Sequence, residues 1–347
     1  MRRSVLRSSS FMRIPHVAGS MAGIYLPIGT LTSRSMQAST IADHRLRATI
    51  AVAFLTSVFA SARAQEPPPS TTLEALHLDT THVGRITAYF GPADREYAHQ
   101  LATLSDAAAA YFEREFGGTL SLHLAILSPE DWFDPYTGGD SMAYGMPWGW
   151  VEGQIMAVPA SLDDGVLILG PDSESNRRRV QFVMLHELGL IASKRMLHPE
   201  SPIAYSSVWW FEEFLATYFA YSFVRAHDTE WAEASRKEWV DFLDGYTPAV
   251  LSMDWDFMDD LPPEDFARTY AWYQMLLNLW AAELYEDHSL DFLRNVRDRL
   301  PWREGGAWTS DLVLRELEEI APGFQARVDK LQSGGYLQDR RSIDHGH

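Results

Sequence analysis

Phe182-Val183-Met184-Leu185-His186-Glu187-Leu188-Gly189-Leu190, followed by Trp210-Phe211-Glu212-Glu213-Phe214-Leu215-Ala216-Thr217-Tyr218-Phe219, is the stretch on which the fold turns. Val180, Val183, Met184 and Leu188 recur at helical spacing, and the second stretch is helical in pattern too. Each helix carries ionisable groups on an otherwise apolar body, and Glu213 comes twenty-three residues after Leu190. Among 12 His, about one His-Glu pair arises by chance, so the dipeptide alone carries nothing and its context must.

The chemistry that would use such helices is hydrolysis by a bound zinc ion. Two His one turn apart bring both rings to one point, a carboxylate from a second helix completes three ligands, and water takes the fourth position. The Glu directly after the first His points about 100° round the helix, where it can take a proton from that water. His186, Glu187 and Glu213 fit these roles by spacing. The bland alternatives are a core histidine bonded to backbone and a solvated or capping helix carboxylate. Small residues at Ala216 and Thr217, above Glu213, favour the ligand role, because they leave room for a metal.

At these residues the chain resembles the gluzincin group of metallopeptidases, also called the peptidase MA-like domain, with its HExxH helix and a downstream W-x-x-E-G-x-A-x-Y helix. Trp210, Glu213, Ala216 and Tyr218 fall on the second pattern, and the resemblance covers roughly Thr81 to Leu300. It implies an α+β, thermolysin-like catalytic domain with His186 and Glu213 as metal ligands and Glu187 as the catalytic base. It further implies that an edge strand before the metal helix, Gln154-Ile155-Met156-Ala157-Val158, binds substrate backbone, and that Tyr270 in a later helix assists the oxyanion.

Three positions depart from the pattern: Leu190 replaces the second His ligand, Phe214 replaces the Gly after Glu213, and Glu212 stands where many relatives have Asn. The first is decisive. A four-ligand structural zinc site binds with roughly 10 to 16 kcal/mol, so one missing ligand costs several kcal/mol, on the order of a thousandfold in affinity. Leucine would also make that side of the cavity dry. His198 would rescue the site only if the helix broke, since it lies about 120° round and some 18 Å along an ideal helix from His186.

Outward from these helices, the pattern changes on the N-terminal side. Residues 81–170 read as a small sheet and residues 171–333 as a helical half. Thr81 to Phe90 predicts one strand ended by Gly91-Pro92, a long helix follows from about Asp94 to a stop at Gly117, and Leu120 to Ile126 alternates as a second strand. Glu152-Gly153 predicts a turn between two short strands, with Gln154 to Val158 as the second, and Val166 to Leu169 adds another. Further helices are expected around Trp231 to Phe242 and over the nearly all-apolar Tyr270 to Tyr285.

Residues 1–64 read as a leader. His44-Arg45-Leu46-Arg47 precedes an apolar run, Ala48 to Ala60, and Ala62-Arg63-Ala64 offers a small-x-small cleavage box. Met36 would start a signal peptide of ordinary length, with the upstream residues an extension; an Arg-rich, acid-poor transit peptide is the competing reading. Residues 65–80 form a Pro-rich linker and 334–347 a polar, disordered tail. The leader holds 8 Arg and 1 Asp, so the remainder of the -18 chain carries about -25, which argues against nucleic acid or anionic membrane as a partner. No apolar run reaches the roughly 18 residues of a membrane span. Zero Cys removes disulfides, thiol nucleophiles and thiolate metal sites, so any metal must sit on His and carboxylate.

The sequence therefore predicts an exported, periplasmic or secreted gluzincin homologue with little or no activity, zinc weakly held or absent, and a groove for an extended peptide or protein ligand. The alternative is an active metal-dependent peptidase or hydrolase with an unusual ligand set.

Overall fold

Gly84 produces the first difference from expectation. In place of one strand from Thr81, β1 (Asp79–Val83) turns back into β2 (Ile86–Phe90), paired antiparallel from Asp79↔Phe90 to Val83↔Ile86. A two-residue hairpin turn needs positive φ, which Gly84 adopts at 54° without a Cβ clash. β1 also begins inside the segment expected as linker.

The protein is seen here as a computed structural model, which describes residues 73, 75–132, 147–151, 153–160, 173–197, 208–246, 248, 250–253, 255–300 and 308–333. The expected leader, its cleavage box and the Pro-rich stretch, Glu152, the strand at Val166–Leu169, His198 and the tail from Gly334 lie outside the described residues.

After the hairpin comes α1 (Arg95–Phe116), which buries Ala98, Leu101, Ala102, Ala108, Tyr111 and Phe112 along one side. Gly117, at φ 77°, ends it by donating its N–H to the Glu113 carbonyl at 2.9 Å. Arg85 straps the hairpin to this helix, its backbone N–H donating to Asp106 and its guanidinium pairing with Asp106 and Glu113. The chain then enters β3 (Leu122–Leu127), parallel to β2, and later the hairpin β4 (Trp148–Trp150) and β5 (Ile155–Pro159).

The five-stranded mixed sheet has the order β1-β2-β3-β5-β4. β5 lies inside it, parallel to β3 on one side and antiparallel to β4 on the other. This corrects the expectation that Gln154 to Val158 is an edge strand: Gln154 precedes the strand at φ 53°, and Ile155, Met156 and Ala157 have their backbones paired on both sides. Among the described residues, the edge next to the helices is β4. Burial explains the wholly apolar β5: Met156 and Val158 enter the main core, whereas Ile155 and Ala157 pack on the opposite face with Trp132, Trp148 and Leu127.

A mostly helical half follows: α2 (Ser173–Ala192) running into a wider π turn (Ser193–Leu197), α3 (Trp209–His227), α4 (Thr229–Gly245), α5 (Pro263–His288), α6 (Asp291–Arg299), α7 (Ser310–Ile320) and α8 (Phe324–Gln332). Helix α3 is buried nearly all round, which is why its sequence shows little amphipathicity. Phe214 fills this core against Tyr218, Phe292 and Phe324. The described residues all belong to the unit from His44 to His347.

Candidate functional site

Gly189 sets how closely the two decisive helices approach. A Cβ built there would lie 2.3 Å from the Ala216 carbonyl oxygen and 3.0 Å from Phe219 Cβ, so α2 and α3 touch backbone to backbone at this point. Three residues before each contact member stand His186 on α2 and Glu213 on α3, and the close approach brings them together. His186 Nε2 lies 3.0 Å from Glu213 Oε2, both side chains being 12% exposed.

Each of the two is held from behind. Thr217 donates its hydroxyl hydrogen to Asn278 Oδ1 at 2.8 Å and so meets His186 Nδ1, 3.1 Å away, as an acceptor. Nδ1 therefore carries hydrogen, and the space between Nε2 and the Glu213 oxygen needs a proton or another cation. Glu213 also accepts from Gln274 Nε2 at 2.8 Å and, through Oε1, from Trp209 Nε1 at 3.1 Å. The same Gln274 amide donates to the Tyr270 hydroxyl at 2.7 Å. Tyr270 itself is sandwiched between Trp209 and Phe266, with Trp255 edge-on to both Tyr270 and Trp209.

The electrostatics follow from this packing. Burial alone would pull the His186 imidazole down, but the hydrogen bond and charge of Glu213, helped by the charge of Glu187, outweigh it and hold it above its ordinary value. Burial alone would raise Glu213, yet the bond and charge of His186, with those of Gln274 and Trp209, bring it below the usual carboxylate range. Glu187 has no such cation of its own, and burial pushes its carboxyl up to about 7, with Glu213 adding to the rise and His186 opposing it.

Glu187 reaches the sheet. The Gly149 backbone N–H of β4 donates to its carboxylate, and a Cβ at Gly149 would stand 2.9 Å from Glu187 Oε2. A side chain at this position would have to push the Glu187 carboxylate aside. Thus one edge strand and three helices (α2, α3 and α5) frame the site.

Leu190, one turn after His186 on α2, is partly buried and packs its hydrocarbon against the main core. Glu212, beside Glu213, forms a buried ion pair with Lys194 from the π turn. Among the described residues, no three His, Asp or Glu side chains gather as a metal-binding group. The donor set that converges is one imidazole and one carboxylate, and the residue one turn after the imidazole, Leu190, offers no donor atom. These residues do not fit a three-ligand catalytic zinc centre.

The structure thus gathers His186, Glu187, Glu213 and Tyr270 around one region and leaves β5 apart as an interior strand. Sequence reasoning missed Gln274, Asn278, Trp209 and Gly149. Tyr270, Gln274 and Asn278 are polar at successive four-residue steps in the mostly apolar middle of the helix, a stripe that was there to find. Gly149 had no signal beyond its two flanking Trp. Neither a scan against protein-family models nor a search of curated proteins returns a match for this chain.

Proposed function

We propose that the chain is an exported gluzincin-type metallopeptidase homologue that binds extended polypeptide and hydrolyses it weakly or not at all. The observation that carries this reading is the 3.0 Å meeting of His186 with Glu213 from successive helices, with Leu190 supplying hydrocarbon one turn away. The meeting is the one expected of a gluzincin ligand pair; the leucine leaves it one donor short. The peptide-binding edge in this reading is β4, at Trp148-Gly149-Trp150, since β5 is paired on both sides.

With no zinc-bound water, Glu187 has no activated nucleophile beside it, and its high proton affinity keeps it partly protonated near neutrality. The second reading, an active hydrolase with an incomplete ligand set, draws support from the same carboxyl and from the polar backing of His186 and Glu213. A buried carboxyl near 7 suits a general base, and metal-ligating His residues are held by just such partners.

Metal analysis of the purified wild-type protein, with casein and short peptides as substrates, separates the two. Substoichiometric zinc and no cleavage are expected. Stoichiometric zinc with turnover would establish the second reading.

A further inference from the structure

We propose that two buried side-chain pairs, His186 with Glu213 and Lys194 with Glu212, perform the cross-linking of α2 to α3 that a bound metal performs in a gluzincin site. The proposal rests on the reading that this chain holds no catalytic metal. It adds that the helix pair is built to stand without one.

Positions 186, 190 and 194 succeed one another at four-residue steps along α2 and into its π turn. The first and last reach across to α3, where they meet adjacent residues, Glu213 and Glu212, in its first turn and a half. Leu190, between them in that order, packs on the core. A metal at this place would tie His186 to Glu213 through two coordinate bonds. Here the direct hydrogen bond makes that tie, and a second, charged tie lies two turns further along α2.

Lys194 is the telling member. Its side chain is 5% exposed, and a lysine ammonium is removed from water at a cost of several kcal/mol unless a carboxylate receives it. Glu212 receives it, at a position where the family pattern has Asn. The two departures from that pattern, Leu190 and Glu212, are thereby connected: one removes a ligand, the other supplies the partner for a buried cation on the same helix face. Between the two ties, Gly189 presses on Ala216 with no space to spare, so the ties act on helices already in backbone contact.

The test uses the full mature protein and thermal melting. Excess EDTA, followed by zinc alone, is expected to move the melting temperature by less than about 1 °C. Lys194→Met, which takes the ammonium away from a buried carboxylate, is expected to lower it by roughly 6 to 20 °C, and Lys194→Met with Glu212→Leu is expected to recover at least half of the loss, since hydrocarbon replaces a buried pair nearly neutrally. If Lys194→Met does not fold, Lys194→Arg and Glu212→Gln read the same pair, with Arg expected to melt near wild type and Gln several degrees below. A fall in EDTA that zinc reverses would overturn both the proposal and the metal-free reading of the site. A zinc-free protein in which Lys194→Met and Glu212→Gln melt like wild type would overturn the cross-link alone.

Discussion

Leu190→His should turn this site into a zinc centre. Wild type presents two convergent donors, His186 Nε2 and Glu213 Oε2, and the variant adds a second imidazole one turn along the same helix. A four-ligand zinc site releases roughly 10 to 16 kcal/mol, or about 2.5 to 4 kcal/mol per ligand, so the third donor is expected to tighten zinc binding on the order of a hundred- to a thousandfold. The backing is already present, since Thr217 orients His186 while Gln274 and Trp209 orient Glu213. Without metal the variant should be less stable than wild type by about 1 to 2 kcal/mol, because a polar ring replaces hydrocarbon packed on the core. At zinc a hundredfold above its dissociation constant it should regain about 2.7 kcal/mol, or roughly 5 to 10 °C in melting temperature. Parallel melts of wild type and variant, with and without zinc, together with elemental analysis, measure both numbers. A variant that melts at the same temperature with and without zinc, and purifies without it, would refute the argument that only the third donor is missing.

Thr217→Val, made in the Leu190→His background, removes the acceptor behind His186 Nδ1 and should weaken zinc binding about 10- to 100-fold, measured by competition with a chromophoric chelator. Gly189→Ala places a Cβ 2.3 Å from the Ala216 carbonyl and must force α2 off α3; a loss of 3 kcal/mol or more, on the order of a large core overpacking effect, is expected in urea melts, and a loss under about 0.5 kcal/mol would mean the helices are not in backbone contact. Glu187→Gln should alter the pH dependence of stability. Burial lifts this carboxyl to about 7 from 4.5, so its folded-state proton is present below pH 4.5 at no loss, and stability falls as pH rises from there to about 7, by about 3 kcal/mol at most. The Gln variant, neutral throughout, should match wild type near pH 4 and exceed it above pH 7, and a difference that does not change with pH would contradict the burial of a charge at Glu187.

The helices were legible because an apolar face repeats along them. α1 and its Gly117 stop, α4 and α5 lie near where periodicity puts them, and His186 and Glu213 meet because the spacing of two packed helices is written in small residues, Gly189 and Ala216. The sheet was less legible, for a physical reason. Strand order depends on which backbones pair, and the apolar run of β5 reports burial of its two faces, not whether both of its backbone edges are paired. The hairpin of β4 with β5 was signalled by the Glu152-Gly153 turn, but nothing in the three residues of β4 said that it, and not β5, is the edge. The missed β1–β2 turn was signalled by Gly84, but a single Gly inside a β-like run reads equally as a bulge. Gln274 and Asn278 were hidden by the opposite problem: in an apolar helix a lone amide looks like tolerated noise until a partner across the interface shows what it satisfies.

That partnership lets the site stand without a metal ion. Removing a metal from a buried site ordinarily strands its ligands as unpaired polar groups, each costing about 1 to 3 kcal/mol, more when charged. In this chain the corresponding groups satisfy one another. Glu213 accepts from His186, Gln274 and Trp209, His186 is bonded at both nitrogens, and Thr217 passes its own hydrogen to Asn278. The network therefore closes with a proton where a divalent ion would bridge, and Leu190 adds apolar contact in place of a donor that would have lacked a partner. A site arranged in this way is held by its own side chains: His186 or Glu213 could be replaced only by breaking this set of hydrogen bonds.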